Sequence, residues 1–129
     1  MEIKLNNEES ERYFFDAMCN GMGYFGGYGV RLDYKDSAGD KSREVLAEAA
    51  GDRTICREDV WMQILRNGDT LVFEDEEMEE KYNVTLKDVH SKVQLTPPNH
   101  LMDMVNDRDD AITSDCILQT VIFGEVKYG

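Results

Sequence analysis

The sequence predicts an α+β fold: a single domain, residues 1–129, in which helices pack on a small, mainly antiparallel sheet. Three observations lead to this fold class. Several segments place apolar residues at helical spacing and stop at a glycine, whereas two short apolar runs flank an acidic turn, as in a hairpin. The length suits one core without disulfides or metals, and no repeat, low-complexity tract or linker divides the chain.

The N-terminal part predicts a strand, a helix, a loop and a second strand. A short strand at residues 3–5 precedes a helix that Asn6 or the next residue can cap and whose first turn is acidic. This helix is expected to stop at the first of the five glycines in NGMGYFGGYGV, where they alternate with three aromatic residues. We therefore predict a flexible loop at residues 21–29, followed by a half-buried strand at residues 30–34.

The next segment predicts two helices with an irregular connection between them. Residues 36–40 are typical of a turn, and KSREVLAEAA, residues 41–50, consists of good helix formers. The second helix begins near Glu58 and carries an apolar stripe that includes Trp61, the sole tryptophan. Because this stripe faces the core, Trp61 is expected to pack rather than to bind a ligand. The Asn67-Gly68 pair ends this helix.

Two strands, residues 71–73 and 82–86, predict a hairpin across the connection EDEEMEE, residues 74–80. Six of these seven residues are acidic. A run of charges of this kind is typical of a solvated hairpin tip. We therefore expect the whole connection to lie in solvent.

The C-terminal third predicts helices and a final strand. Thr85 caps a short helix that Pro97-Pro98 ends, and residues 101–105 form a further helical turn. The last helix starts at residue 109 or 110 and is apolar over most of its circumference. It is therefore predicted to be the central buried helix. A glycine ends it, and residues 126–128 are expected to form a short strand.

Charge and cysteine content restrict the setting in which the protein works. The 27 acidic and 14 basic residues give a net charge of −13, which opposes direct nucleic-acid binding and binding to anionic membranes. Such a charge favours a basic or neutral partner, although it also keeps a small protein soluble. The odd number of cysteines, three, and the absence of an apolar leader or membrane-spanning run predict reduced thiols and a cytoplasmic location.

The sequence carries no recognisable catalytic or cofactor motif. The glycine segment formally matches the dinucleotide-binding pattern, but it follows a predicted helix and precedes a strand, the reverse of the order that pattern needs. The acidic groups lack the spacing of a calcium loop, and the two histidines, expected at the surface, are not spaced as zinc ligands. We predict a protein that is not an enzyme and that has no cofactor or metal.

The candidate binding residues combine the glycine segment with the hairpin tip. Glycine lets another molecule approach the backbone closely, and aromatic rings lose little rotamer entropy in a contact. The alternative is that Tyr24 and Phe25 fold back onto the core, which the sequence leaves open. The predicted binding residues are Gly23, Tyr24, Phe25, Gly26, Gly27, Tyr28, Arg31, Glu76, Glu77, Glu79 and Glu80.

Three stretches resemble a family of small acidic proteins encoded in phage and prophage genomes. AMCNGMGYFGG is similar to the family's Ala-Leu-Glu-Gly-Gly followed by Tyr-Trp, although the aromatic pair here is Tyr24-Phe25 and the glycine segment is longer. ILRNGDTLVFEDEEMEEKYNVTLKDVHSKVQL is similar to its strand, acidic tip and Leu-Thr-led helix. DDAITSDCILQTVIFGEVKYG is similar to its Ile-Leu-Gln helix and Phe-Gly-Glu-Ile/Val-x-x-Gly ending. The resemblance implies an accessory protein of a mobile element, without established chemistry.

These observations lead to three function hypotheses. The first is an inhibitor that binds a host protein, one of the anti-phage defence proteins, through an acidic surface that imitates nucleic acid. The alternative is a protein that sequesters a small nucleotide by aromatic stacking, with Arg31 or Arg12 as the cation for phosphate. The second alternative is a structural phage component or an uncharacterised enzyme.

Overall fold

The computed structural model describes residues 3–51 and 53–128, which form six α-helices, a 3₁₀ turn and a three-stranded antiparallel sheet. The predicted α+β fold class is confirmed. The helices are α1 (Asn7–Gly27), α2 (Asp36–Ala50), α3 (Arg57–Arg66), α4 (Leu86–Lys92), α5 (Pro98–Val105) and α6 (Ala111–Phe123), and the strands are β1 (Val30–Asp33), β2 (Leu71–Asp75) and β3 (Glu80–Val84). The 3₁₀ turn, Val93–Leu95, continues from α4. No helix among the described residues is long and apolar enough to cross a bilayer.

Helix α1 runs through the glycine segment, so the predicted loop at residues 21–29 is wrong. The helix starts with a capping box, in which the Asn6 side chain accepts from the Glu9 amide (2.8 Å) and Glu9 accepts from the Asn6 amide (3.0 Å). It continues past Gly21 because this glycine packs on α6: a Cβ atom there would lie 3.0 Å from the backbone nitrogen of Asp115. Burial of Phe25 one turn later also favours the helical path, although each helical glycine costs roughly 1 kcal/mol relative to alanine.

Helix α6 is the centre of the molecule, as the sequence predicts. Its ten residues from 113 to 122 are all buried, and α1 packs along its length. The Asp110 side chain caps the helix by accepting from the Thr113 amide at 2.9 Å. Gly124 ends it in the left-handed conformation (φ +82°), which favours glycine.

The sheet has the order β1-β2-β3, with Leu32 opposite Phe73 and Phe73 opposite Tyr82. The predicted hairpin is present, but its strands are longer towards the tip than the sequence indicated. Glu74, Asp75 and Glu80 belong to strands, which leaves residues 76–79 as the turn. The acidic run is therefore partly strand, and only its centre is a loop.

Three other local predictions are wrong. Residues 36–40 form the first part of α2 rather than a turn, since Gly39 there packs under the ring of Tyr34. Residues 3–5 and 126–128 are not strands. Backbone amides of these segments donate hydrogen bonds to glutamine side chains instead of to a neighbouring strand. The Leu5 amide donates to Gln94 (3.3 Å), and the amides of residues 127 and 128 donate to Gln119. The predicted helices after residue 56 are all present.

Candidate binding surface at the acidic hairpin

The hairpin turn presents a cluster of exposed acidic side chains. Glu76, Glu77, Glu79 and Glu80 are all exposed. Met78 lies among them with 56% of its surface accessible, which makes it one of the most exposed large apolar residues in the described part of the chain. The turn therefore combines four carboxylates with one apolar side chain.

A buried carboxylate holds this turn in place from below. Asp75 is fully buried and accepts hydrogen bonds from the Met78 amide (3.1 Å) and from the Tyr128 hydroxyl. The hydrogen bond from Tyr128, aided by backbone donors of the turn, lowers the pKa of Asp75, so the carboxyl stays ionised despite its burial. One residue of the acidic run thus fixes the backbone that displays the others.

The C-terminal segment that supplies Tyr128 is itself anchored by the buried Gln119. The Gln119 side chain accepts from the amides of Lys127 and Tyr128, both at 2.7 Å, and donates to the Tyr128 carbonyl at 2.9 Å. The Tyr128 ring stacks on Tyr28 with centroids 4.8 Å apart. The support of the hairpin turn therefore reaches from α6 through the C-terminal segment to Asp75.

Two of the predicted binding residues belong to this supporting structure. Phe25 is only 1% exposed and packs between Phe73 and Phe123, with centroid distances of 6.3 and 6.1 Å. The prediction that Phe25 is an exposed loop aromatic is therefore wrong. Tyr28 is partly buried and donates to Asp115 at 2.8 Å; burial and this hydrogen bond raise the pKa of Tyr28 to about 12. The Tyr28 hydroxyl therefore stabilises the core through Asp115.

Asp115 is an unusual buried carboxylate within the same network. One of its oxygens accepts from Tyr28 and from Gln119 (2.9 Å), whereas the other has no hydrogen-bond partner within the described residues. Burial therefore raises the pKa of Asp115 above its usual value. The network supports the fold and, through Gln119 and Tyr128, extends to the buried Asp75 of the hairpin.

The remaining residues of the glycine segment lie on the surface, beside the hairpin. Tyr24 is 41% exposed, and Gly23, Gly26 and Gly27 are exposed. The two segments meet where the Glu76 amide donates to the Gly29 carbonyl at 3.0 Å. The C-terminal end of the glycine segment therefore lies against the hairpin turn. We call this surface the acidic face: Gly23, Tyr24, Gly26, Gly27, Glu76, Glu77, Met78, Glu79 and Glu80.

The acidic face carries an excess of negative charge. The C-terminal end of α1, the negative pole of its dipole, carries no basic residue in its last turn. Arg31 is the predicted cation of this region, but it pairs with Glu74 (3.1 Å) and Glu76 (3.8 Å). The charge of Arg31 is therefore compensated by these two glutamates, and the acidic face as a whole attracts cations.

Alanine at the exposed glycines of α1 should stabilise the protein. A Cβ atom at Gly23 or Gly26 would meet no described atom within 4 Å, so we expect Gly23→Ala and Gly26→Ala each to add roughly 0.5 to 1 kcal/mol. Urea unfolding measures this difference. Gly21→Ala is the control and should destabilise, since its Cβ atom would press on the α6 backbone. A loss of stability in Gly23→Ala and Gly26→Ala would contradict the open space that the structure shows at these two glycines.

Other groups considered in the sequence take structural positions. His90 is partly buried and lies 2.8 Å from a Glu11 oxygen, so it is not a free surface histidine. Trp61 packs in the core, as predicted. All three cysteines are free thiols. No group of three histidine, cysteine or acidic side chains within residues 3–51 and 53–128 is arranged to hold a metal ion.

The expectation that the whole connection at residues 74–80 lies in solvent is wrong for Asp75, and neither Asp75 nor Met78 was among the predicted binding residues, although one signal for Asp75 was present. Leu71, Phe73 and Asp75 share the inward face of β2, so strict alternation places the Asp75 carboxylate inside. Likewise, spacings of four, three and four residues along α1 extend its apolar stripe through Phe14, Met18, Gly21 and Phe25. The glycines obscured this continuation.

Comparisons of the chain with protein-family models, with curated proteins and with solved structures gave no match.

Proposed function

We propose that this protein acts by binding, and that it docks the acidic face onto a basic surface of another protein. In the setting of the phage proteins that it resembles, the partner is a host protein, one of the anti-phage defence proteins, and the effect is inhibition. The observation that carries the proposal is the hairpin turn, where an exposed methionine lies in sequence between four exposed glutamates and a buried aspartate holds the backbone.

The fixed turn suits recognition because its ordering cost is met during folding rather than on binding. Asp75, Tyr128 and Gln119 hold the backbone that carries the carboxylates. A partner therefore meets side chains already displayed in one arrangement. This preorganisation increases the affinity that a given set of contacts provides.

The two kinds of side chain on the turn have different tasks. The carboxylates, together with the net charge of −13 of the whole chain, speed the association with a basic partner and orient that partner. Met78 supplies an adaptable apolar contact among the glutamates of the turn. We infer a partner surface in which lysine or arginine residues surround a small apolar depression, as in a groove that binds nucleic acid.

Sequestration of a small nucleotide at the glycine segment has less support. Stacking needs an exposed ring, but Phe25 is in the core and Tyr28 stacks on Tyr128. Arg31, the nearest cation for phosphate, is paired with two glutamates. Tyr24 alone remains exposed, and it fits equally well as an aromatic contact within the acidic face.

Neutralising the hairpin turn should remove binding without affecting the fold. In the variant Glu76→Gln, Glu77→Gln, Glu79→Gln and Glu80→Gln, we expect an almost unchanged melting temperature, because exposed charges contribute little to stability. Affinity capture from a bacterial lysate should yield a basic partner with the original protein and lose it with this variant. Raising the salt concentration should also weaken the capture.

The matched control neutralises four exposed glutamates elsewhere, so that the net charge changes by the same amount: Glu8→Gln, Glu44→Gln, Glu48→Gln and Glu125→Gln. This control should still capture the partner. Equal losses in both variants would mean that only net charge matters, and retention in the hairpin variant would place the binding surface elsewhere. Either result would contradict the proposal.

A further inference from the structure

A second surface, which shares no residue with the acidic face, carries two arginines that are each paired with an acidic side chain. A cleft of about 390 Å³ lies between the end of β1, helix α2 and the start of α3. Its lining includes Tyr34, Arg43, Ala47, Ile55, Arg57 and Val60. Among the described residues that line it, the charged side chains are both arginines, although the chain carries a net charge of −13.

The first half of the cleft is built around a glycine inside α2. A Cβ atom at Gly39 would lie 2.7 Å from Cε2 of Tyr34, so the tyrosine ring rests directly on the helix backbone. Its hydroxyl accepts a hydrogen bond from Nη2 of Arg43 at 3.2 Å, and Nη1 of Arg43 pairs with Asp40 at 3.4 Å. A glycine in a helix costs stability, and here it fixes the positions of Tyr34 and Arg43.

Arg57 forms the other cationic wall. It is the first residue of α3, where the positive end of the helix dipole favours an anion. Its guanidinium carbon lies 5.3 Å from the ring centroid of Trp61, and its Nε pairs with Glu58 at 3.1 Å. A guanidinium has five N–H donors. Arg43 uses two groups and Arg57 one in the contacts described, so donors remain for a ligand.

Apolar side chains complete the cleft and define the rest of the ligand. Ala47, Ile55 and Val60 offer a surface for a flat apolar body beside the arginines. An adjoining depression of about 490 Å³ shares Tyr34 and Arg43 but is lined by Asp33, Asp36 and Asp40. These carboxylates repel an anion, so they direct the anionic end of a ligand towards Arg57.

We propose that this cleft binds a small molecule in which an oxyanion, a phosphate or a carboxylate, is attached to a flat apolar body. The oxyanion lies between Arg43 and Arg57, and the body covers the apolar wall next to Tyr34. Both parts of the ligand are needed. Each arginine already has a carboxylate partner, so an inorganic anion alone gains too little binding free energy. This site shares no residue with the acidic face and does not depend on the function proposed above.

The test is a ¹H–¹⁵N NMR titration of the full chain, in which the indole N–H of Trp61, the sole tryptophan, reports on the cleft because Arg57 of the cleft lining lies over its ring. The probes are phenyl phosphate and 3-phenylpropanoate at millimolar concentration, which share a phenyl body, with phenol and inorganic phosphate as partial probes. At least one complete probe should shift Trp61 and the amides of residues 55–60. The partial probes should bind roughly tenfold more weakly, as expected when one charged hydrogen-bonding group or the apolar body is lost.

Variants locate the binding in the cleft. Arg43→Gln and Arg57→Gln should each weaken it about tenfold. Arg31→Gln, which lies beside the hairpin glutamates and outside the cleft lining, should have no effect, and the remaining resonances show that each variant is folded. Binding by the phosphate probe alone or by the carboxylate probe alone identifies the source of the oxyanion. The proposal is overturned if neither complete probe shifts Trp61, or if binding is unchanged in both cleft variants.

Discussion

Replacing Ile117 by aspartate is expected to unfold the protein. Ile117 is fully buried in the middle of α6, among ten consecutive buried residues. An unpaired charge at such a position costs several kcal/mol, a large part of the roughly 5 to 15 kcal/mol that stabilises a typical domain. Circular dichroism during heating should show no cooperative transition for Ile117→Asp.

The same helix offers a matched control. Ile112 is 58% exposed in the first turn of α6, so Ile112→Asp introduces the same charge into solvent near the helix N-terminus. This variant should melt much like the original protein. A soluble, cooperatively folded Ile117→Asp variant would contradict the position of α6 at the centre of the core.

Two neighbouring aromatic residues should respond in opposite ways to truncation. Phe25→Ala removes a ring packed against Phe73 and Phe123, and we expect it to cost about 3 to 5 kcal/mol. Tyr24→Ala removes a ring from the surface and should change stability by less than about 1 kcal/mol. Urea unfolding measures both values.

The comparison decides between a helix and a loop at the end of α1. If residues 21–29 were a loop that displays both rings, the two variants would have similar, small effects on stability. A small effect of Phe25→Ala would therefore contradict the helical path and return Phe25 to the candidate binding residues. A large effect of Tyr24→Ala would instead make that ring part of the core.

Local patterns predicted the elements whose signals agree with one another. Helix α6 has a capping aspartate, an apolar sequence and a final glycine, and the hairpin has apolar strands on either side of an acidic turn. The glycine segment was mispredicted because glycine normally ends helices. There, tertiary contacts decide: Gly21 lets α1 approach α6, and Phe25 enters the core.

The acidic turn was predictable as a surface, but its support was not. Asp75 and Tyr128 are 53 residues apart, and Tyr28 and Asp115 are 87 residues apart. A pattern within a short window cannot reveal such pairs. The same limitation hid the arginine cleft, whose walls come from β1, α2 and α3. Long-range pairing therefore had to come from the structure.

The association kinetics of the captured partner test the central claim, that the acidic face is the working surface, most directly. The rate should be measured over a range of salt concentrations for the original protein, the hairpin glutamine variant and the charge-matched control. We expect a clearly slower association and a weaker salt dependence for the hairpin variant alone, because local carboxylates steer the encounter. Identical rates and salt dependence in all three proteins would contradict the claim.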